Sequence, residues 1–470
     1  MLNYFPTYFT NKAIILYVMS LVMVSILFFN QIMPFLWMLF GLVEVGGFFY
    51  FSSLLTRKWA HYSPKRFEKK IFSTALIIRI IYVLFSYLFF NLMTGQPFEF
   101  GAADALGYHN VALSVREMLL SGNIGNYLSN MVGRYSDMGY PLWLGVQYVF
   151  TFGSILVARL IKTFLSAYMC VLIYRLAKRN FGEEVGKMSA IFALLLPHFI
   201  YYCGMHLKET EMIFLAVWFL ERIDLVLRDK KLSFARLILP LVLLGSLFFF
   251  RTVLGLTAIF SVATAILFSD NQIISKHKRL QMIVWGTLAI VVVLGGTIAN
   301  EIDEVLQEQQ QGQQDVNMEW RAERDGGNNF AKYAGATVFA PLIFTIPFPT
   351  MVNVEYQENQ MMVNGNNYVK NILSFFVILA FVFILKQKRW RKNPLLISFV
   401  LTYLVILVLS SFAHSERFHL PILPIYIIFA AYGISQLTNT HKRYFNYWLI
   451  LIFVAIVAWS WFKLAGRGLI

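Results

Sequence analysis

The sequence predicts an all-α polytopic membrane protein, and three observations carry the prediction. Hydrophobic residues make up 58% of the 470 and charged residues only 14%, with a mean hydropathy of +0.61, too apolar for a soluble chain of this length. Apolar runs of roughly 20 residues, the length a helix needs to cross the hydrocarbon core, recur from end to end without the alternation of strands. Short Lys/Arg clusters separate these runs, as topology signals do.

The clusters at Arg57 to Lys70, Arg175 to Lys187, Arg228 to Arg236, Lys276 to Arg279, Lys386 to Lys392 and Lys442 with Arg443 are expected in the cytoplasm, so every second connection faces outward. Crossings then begin near residues 14, 33, 70, 155, 186, 210, 232, 252, 281, 369, 394, 418 and 446, about thirteen in all, with the amino terminus inside and the carboxyl terminus outside. The first run, Ile14 to Phe29, follows Asn11 and Lys12 with no small-residue cleavage site and reads as a retained helix. Pro141 to Gly153 is apolar but about 13 residues long, too short to span. If it crossed, Arg175, Lys178 and Arg179 would lie outside, so it reads as a surface or re-entrant helix before a crossing from Ile155 to Tyr174. Cys170 and Cys203 lie in apolar context and imply no disulfide framework. The formal charge of +15 sits in the topology clusters and does not point to nucleic acid.

This organisation divides the chain into N-terminal crossings (1–92), a first outer loop with juxtamembrane helices (93–154), central crossings (155–299), a long outer loop covering the site (300–368) and C-terminal crossings (369–470). The long loop is acidic, through Glu301, Asp303, Glu304, Glu308, Asp315, Glu319, Glu323, Asp325, Glu355 and Glu358, and holds a glutamine-rich tract. Within it Phe339 to Thr350, broken by Pro341, Pro347 and Pro349, reads as a second membrane-hugging element.

The topology gathers Asp104, His109, Arg134, Asp137, Arg159, Lys162, His206, Lys208, Glu209, Arg251, His414, Glu416, Arg417 and His419 at the outer face. Charges near a bilayer are costly unless paired or solvated, so their convergence points to a hydrated pocket between helices. Each also has a plainer role. Asp104 can be a helix cap or a solvated loop carboxylate, and Lys208-Glu209 can be interfacial anchors. Arg159 and Lys162 either snorkel to headgroups or bind phosphate, and His414 to His419 can be an ordinary hairpin. Glu44 and Arg79, inside crossings, read as a buried pair or as separate helix contacts.

Asp104, Tyr108, Arg116-Glu117-Met118-Leu119 and Ser121-Gly122 resemble the first outer loop of polyprenyl-phosphate-dependent GT-C glycosyltransferases, the class of protein O-mannosyltransferases and lipid A aminoarabinose transferases. The likeness continues through Gly139-Tyr140-Pro141-Leu142, Ala158-Arg159-Leu160, Tyr174 to Gly182 and Arg417-Phe418-His419-Leu420-Pro421. Met138-Gly139-Tyr140-Pro141 stands where the family often has Lys-Pro-Pro, leaving Arg134, Arg159 or Lys208 as the available cation.

The resemblance implies transfer of a hexosyl or pentosyl group, with inversion, from a polyprenyl-phosphate carrier such as undecaprenyl phosphate to a glycan, lipid or protein acceptor. It gives Asp104 the role of general base. Arg159, Lys208, Arg251 and Arg417 are then candidates to stabilise the leaving lipid phosphate, and Tyr108, His109, Glu209 and His419 to contact the sugar or tune Asp104. No cofactor is required; a divalent metal stays open, because no paired metal-ligand motif is present. The implied location is a bacterial inner membrane with the site facing the periplasm, for which an endoplasmic reticulum lumen is topologically equivalent. A lipid-diphosphate-dependent glycan polymerase or ligase is the alternative. A lipid transporter fits less well, because the polar residues gather at one face rather than at midplane.

Overall fold

The computed structural model describes residues 2–130, 136–229, 234–270, 274–294, 313–324, 326–333, 335–410 and 412–470. Arg134, Asp325 and the acidic, glutamine-rich stretch from Glu301 to Gln311 lie outside them. The described chain is helical, and its one extended pairing outside helices is an isolated antiparallel bridge between Ile32 and Val352.

Three long helices come first: α1 (Thr7–Leu27), α2 (Phe35–Lys58) and α3 (Pro64–Thr94). The connection that follows holds α4 (Ala103–Leu120), α5 (Ile124–Asn130) and α6 (Gly139–Thr151). Next come α7 (Ile155–Phe181), α8 (Glu183–Leu195), α9 (Pro197–Cys203) and α10 (Glu209–Arg228). The apolar helices α11 (Phe234–Phe250), α12 (Thr252–Phe268) and α13 (Lys276–Leu294) lead to α14 (Gln313–Glu323) in the long loop. The chain ends with α15 (Asn364–Lys386), α16 (Pro394–Leu409), α17 (Glu416–Ser435) and α18 (His441–Ala465).

Among the described residues, seven helices are long and apolar enough to cross a membrane (α1, α2, α3, α7, α15, α17 and α18), and the bent pair α8/α9 makes an eighth if it is one span. The all-α polytopic class is as expected. The crossing starts read from the sequence fall on or within a few residues of these helices and of α10, α11, α12, α13 and α16. α17 is almost wholly enclosed, whereas α3 leaves most of its surface uncovered. Beyond its basic first turns the uncovered positions are apolar, such as Ile77, Ile81 and Leu88, as a lipid-facing surface requires. α17 and α15 meet backbone to backbone: a Cβ on Gly433 would lie 2.0 Å from the Phe376 carbonyl oxygen, the close approach that small residues permit in membrane bundles.

Arg79 explains itself through a proline. Pro197 begins α9 and has no N–H, so the bend of 46° between α8 and α9 leaves the last carbonyls of α8 without helical partners. Arg79 supplies them: its guanidinium donates to the carbonyls of Ala193 at 3.0 Å and Leu194 at 3.3 Å, and to Ser166 Oγ at 2.6 Å. Glu44 is not its partner; its carboxylate accepts from the backbone N–H groups of Gly365 and Asn366. The two are therefore separate helix contacts, and both cysteines are buried and free.

The proline-broken stretch after Phe339 is held in a similar way. Asn371 donates to the Thr345 and Pro347 carbonyls, Ser374 Oγ to Phe344 O at 2.8 Å, and Lys370 to Ile346 O. Lys370, Asn371 and Ser374 of α15 thus receive non-helical backbone that would otherwise go unsatisfied away from water.

The basic clusters share one end of the bundle. Arg175 at the end of α7 forks onto Glu68 at the start of α3 (3.0 and 2.6 Å), Arg179 meets Glu221 at 2.6 Å, and Lys187 donates to the Ala60 carbonyl at 2.8 Å. α10 has 20 residues, so its first residue, Glu209, lies about 30 Å from that end.

Candidate functional site

Three helix N-termini converge at the end away from the basic clusters. Asp104 is in the first turn of α4, Glu209 opens α10, and Arg417 is in the first turn of α17. A helix start favours carboxylates through its unsatisfied N–H groups. Asp104 nevertheless caps nothing, because α4 has no side-chain cap hydrogen bond. Its carboxylate instead accepts from Arg417 Nη1, while Arg417 Nε donates to Glu209 Oε1. The Asp104 side chain is 58% exposed and that of Glu209 0%. Glu209 therefore fixes the guanidinium from beneath, and Asp104 faces whatever enters.

Two more cations flank this triad. Lys208, just before α10, ion-pairs with Asp137 and donates to the Phe250 carbonyl at 3.0 Å, closing the last turn of α11 as a cation at a helix C-terminus does. Burial and the charge of Arg251 pull the Lys208 ammonium down to about 7, while Glu209 and Asp104 act in the opposite sense. Arg251 is the extended residue between α11 and α12, its guanidinium 4.6 Å from the centre of the Phe418 ring and hydrogen-bonded to Tyr403. Among the described residues its Nη1 is buried without a partner, as is Glu209 Oε2. Tyr108, one turn beyond Asp104, packs edge-on against Tyr140 at 5.1 Å. Burial first, then the Glu209 charge, pushes its phenol up to about 12, so Tyr108 remains an O–H donor at neutral pH.

The other sequence candidates occupy neighbouring networks. His109 Nδ1 lies 2.7 Å from Tyr148 Oη, which lies 3.0 Å from His206 Nε2, beneath the α4–α6 contact. Burial lowers the His109 pKa and keeps its ring neutral. Arg159 is fully buried and donates to the Pro97 carbonyl, with Nε and Nη1 unpartnered. His419 is enclosed, accepting from Lys370 Nζ at 2.8 Å through Nδ1 and donating to Ala413 O at 2.7 Å through Nε2. The structure thus gathers Asp104, Tyr108, Lys208, Glu209, Arg251 and Arg417, and sets His109, Arg159 and His419 behind them.

Two charged neighbours escaped the sequence candidates. Glu99, buried with Oε2 unpartnered, is within electrostatic reach of Arg159 and Arg417; its signal was a carboxylate one turn and a half before Asp104. Lys370 stands among Asn366, Asn367 and Asn371 at the start of an apolar helix, a polar setting that gave no signal like that of Arg251. Among the described residues no three His, Cys, Asp or Glu side chains form a group that could hold a metal ion.

The face built by α4 and α6 depends on one small residue. A Cβ on Gly145 would lie 2.5 Å from Val115 Cγ1 and 3.3 Å from the Ala112 carbonyl oxygen, so α6 lies directly on the helix that carries Asp104. With 13 residues, α6 is about 20 Å long and serves here as a platform.

Residues 364–466 match the Alg9-like mannosyltransferase family, a member of the GT-C superfamily. The matched stretch runs from α15 to the end of α18 and includes Arg417. No curated protein and no solved structure matches the chain. The match, with the apolar helical bundle, supports a membrane glycosyltransferase.

Proposed function

We propose that the protein transfers a sugar from a polyprenyl-phosphate carrier to an acceptor hydroxyl or amine, with inversion, at the membrane face that carries α4 to α6. The acceptor heteroatom attacks the anomeric carbon while the bond from that carbon to the carrier phosphate oxygen breaks. Asp104 takes the acceptor proton, and the phosphate leaves with the bonding pair. Arg417, Lys208 and Arg251 oppose the charge that develops on the phosphate. Glu209 holds Arg417 in position, and Tyr108 donates to a sugar or phosphate oxygen.

One observation supports this reading above the rest. A half-exposed carboxylate sits at a helix start, held by an arginine that a wholly buried second carboxylate fixes in place. Beside it an arginine N–H has no partner among the described residues. That is the donor and acceptor set a sugar phosphate and an attacking hydroxyl need. The basic clusters at the opposite end favour the outward orientation, towards a periplasm or a topologically equivalent lumen.

The test is transfer of labelled sugar from a native lipid extract by the purified protein in lipid, comparing wild type with Asp104→Asn. Transfer by wild type, and donor binding without transfer by the variant, supports the assignment. Full transfer by a folded variant removes Asp104 as base. Supplying mono- and diphosphate donors in parallel separates the glycosyl-phosphate reaction from the lipid-diphosphate alternative.

A further inference from the structure

A second polar cleft lies at the same end of the bundle, between α14 and the end of α18. It has about 100 Å³ of free volume, several times the ~10–15 Å³ that admits a single water on this measure. Arg321 and Arg324 enter it from α14, Lys463 and Arg467 from the end of α18.

Arg324, Lys463 and Arg467 are positioned by neutral groups among the described residues. Lys463 is buried and donates to the side-chain carbonyls of Gln357 at 2.9 Å and Gln360 at 2.6 Å. Arg467 donates to the Gly326 carbonyl at 2.9 Å and the Lys463 carbonyl at 2.7 Å. Arg321 Nη1 donates to His414 Nε2 at 3.1 Å. Arg324 stacks its guanidinium 5.1 Å from the centre of the Trp320 ring. Among the described residues, no carboxylate forms a salt bridge with Arg324, Lys463 or Arg467; Glu416 is the carboxylate that acts on Lys463 from beyond contact. Burial, then the charge of Arg324, presses both Arg321 and Arg467 below the ordinary arginine value.

Gathering like charges in one cleft costs free energy that an anion between them would recover. Planar guanidinium forks with a fixed ammonium are the donor set that matches phosphate oxygens. We propose that this cleft is an anion site for a phosphate group, monoester or diphosphate, carried by a lipid or free in solution. It is separate from the Asp104 site and does not rest on the glycosyl-transfer reading. The two are joined by one short segment: His414 lines the cleft, and three positions later Arg417 holds Asp104.

The test uses the full chain, delipidated in detergent, with two probes. Inorganic pyrophosphate is titrated calorimetrically, and phosphatidic acid against phosphatidylcholine is followed by native mass spectrometry. The variants are Arg324→Gln/Arg467→Gln and, as control, Lys442→Gln in the first turn of α18, with Arg324→Gln alone if the double variant fails to fold. The expected result is binding of at least one phosphate probe by wild type and Lys442→Gln, weakened about tenfold or more when the arginine donors are removed. Pyrophosphate binding alone identifies a free phosphate, and phosphatidic acid binding alone a lipid headgroup. Wild type that binds neither, or a folded arginine variant that binds as wild type does, overturns the proposal. Asp104→Asn should bind both probes as wild type does, which keeps this outcome apart from the fate of the catalytic assignment.

Discussion

Arg417 joins Asp104 across 313 positions of sequence, and the same guanidinium reaches the buried carboxylate of Glu209 through its Nε. The exposed partner is the one an acceptor can approach. Under the proposed reaction Asp104→Asn keeps the shape but not the basicity. Turnover should fall about 10²- to 10⁴-fold, the usual range for a lost general base, with the melting temperature little changed. Single-turnover transfer of labelled sugar reads the first quantity, and thermal unfolding in detergent the second.

Replacing Arg417 should harm stability as well as activity. Arg417→Gln removes the cation in direct contact with the buried Glu209 and leaves the charges of Arg251 and Lys208; breaking a buried pair costs about 3–5 kcal/mol where no other charge remains, and less here. Arg417→Lys keeps a charge but cannot fork between two carboxylates, and should fall between wild type and Arg417→Gln. Adding Glu209→Gln to Arg417→Gln should recover most of the lost stability without recovering activity. No recovery in the double variant would mean that the two side chains act independently.

Gly145 tests whether α6 positions Asp104. Gly145→Ala places a methyl 2.5 Å from Val115 Cγ1, an overpacking expected to cost about 1–3 kcal/mol. Since α4 carries Asp104, transfer should decline with it. Val115→Ala removes the Cγ1 contact but leaves Val115 Cβ 2.8 Å from the new methyl, so Gly145→Ala/Val115→Ala should recover only part of the stability and transfer that Gly145→Ala loses, a coupling that a double-mutant cycle measures.

Acid should weaken the protein through histidines kept neutral. Burial, followed by the charge of Arg321 beside it, holds His414 down to about 3, and burial lowers His109. In the unfolded chain both titrate near 6.5. Below that value the unfolded state takes up protons that the folded state refuses, so this stability is complete above about pH 6.5 and is lost as pH falls toward the folded values. The melting temperature should drop between pH 7 and pH 5, and His414→Gln should make the drop smaller. An identical pH slope in His414→Gln would show that His414 does not carry the effect.

The all-helical class and the short length of α6 were legible in the sequence, because both follow from how apolar residues are spaced along the chain. So were Asp104, Lys208, Glu209, Arg251 and Arg417 as residues of interest, since a charge beside a long apolar run demands a partner or water. Which charges meet was not legible. Arg159 and His419 gave the same signal as Arg417, a charged group near a helix end. Only the packing turns Arg417 toward the open face, Arg159 toward the Pro97 carbonyl and His419 toward Lys370. Arg79 was ambiguous for a related reason: its partners are carbonyls freed by Pro197, more than a hundred positions away, and a backbone acceptor leaves no residue type to recognise.

The triad also bears on how the protein is made. Asp104 leaves the ribosome early, Glu209 midway and Arg417 near the end, and no neighbour in sequence stands in for any of them. A chain still being inserted, or one truncated before α17, holds two unbridged carboxylates where the finished protein holds a fixed cation. Under the proposed reaction the growing chain stays inert until α17 docks, so that packing of the helices and onset of activity become one event.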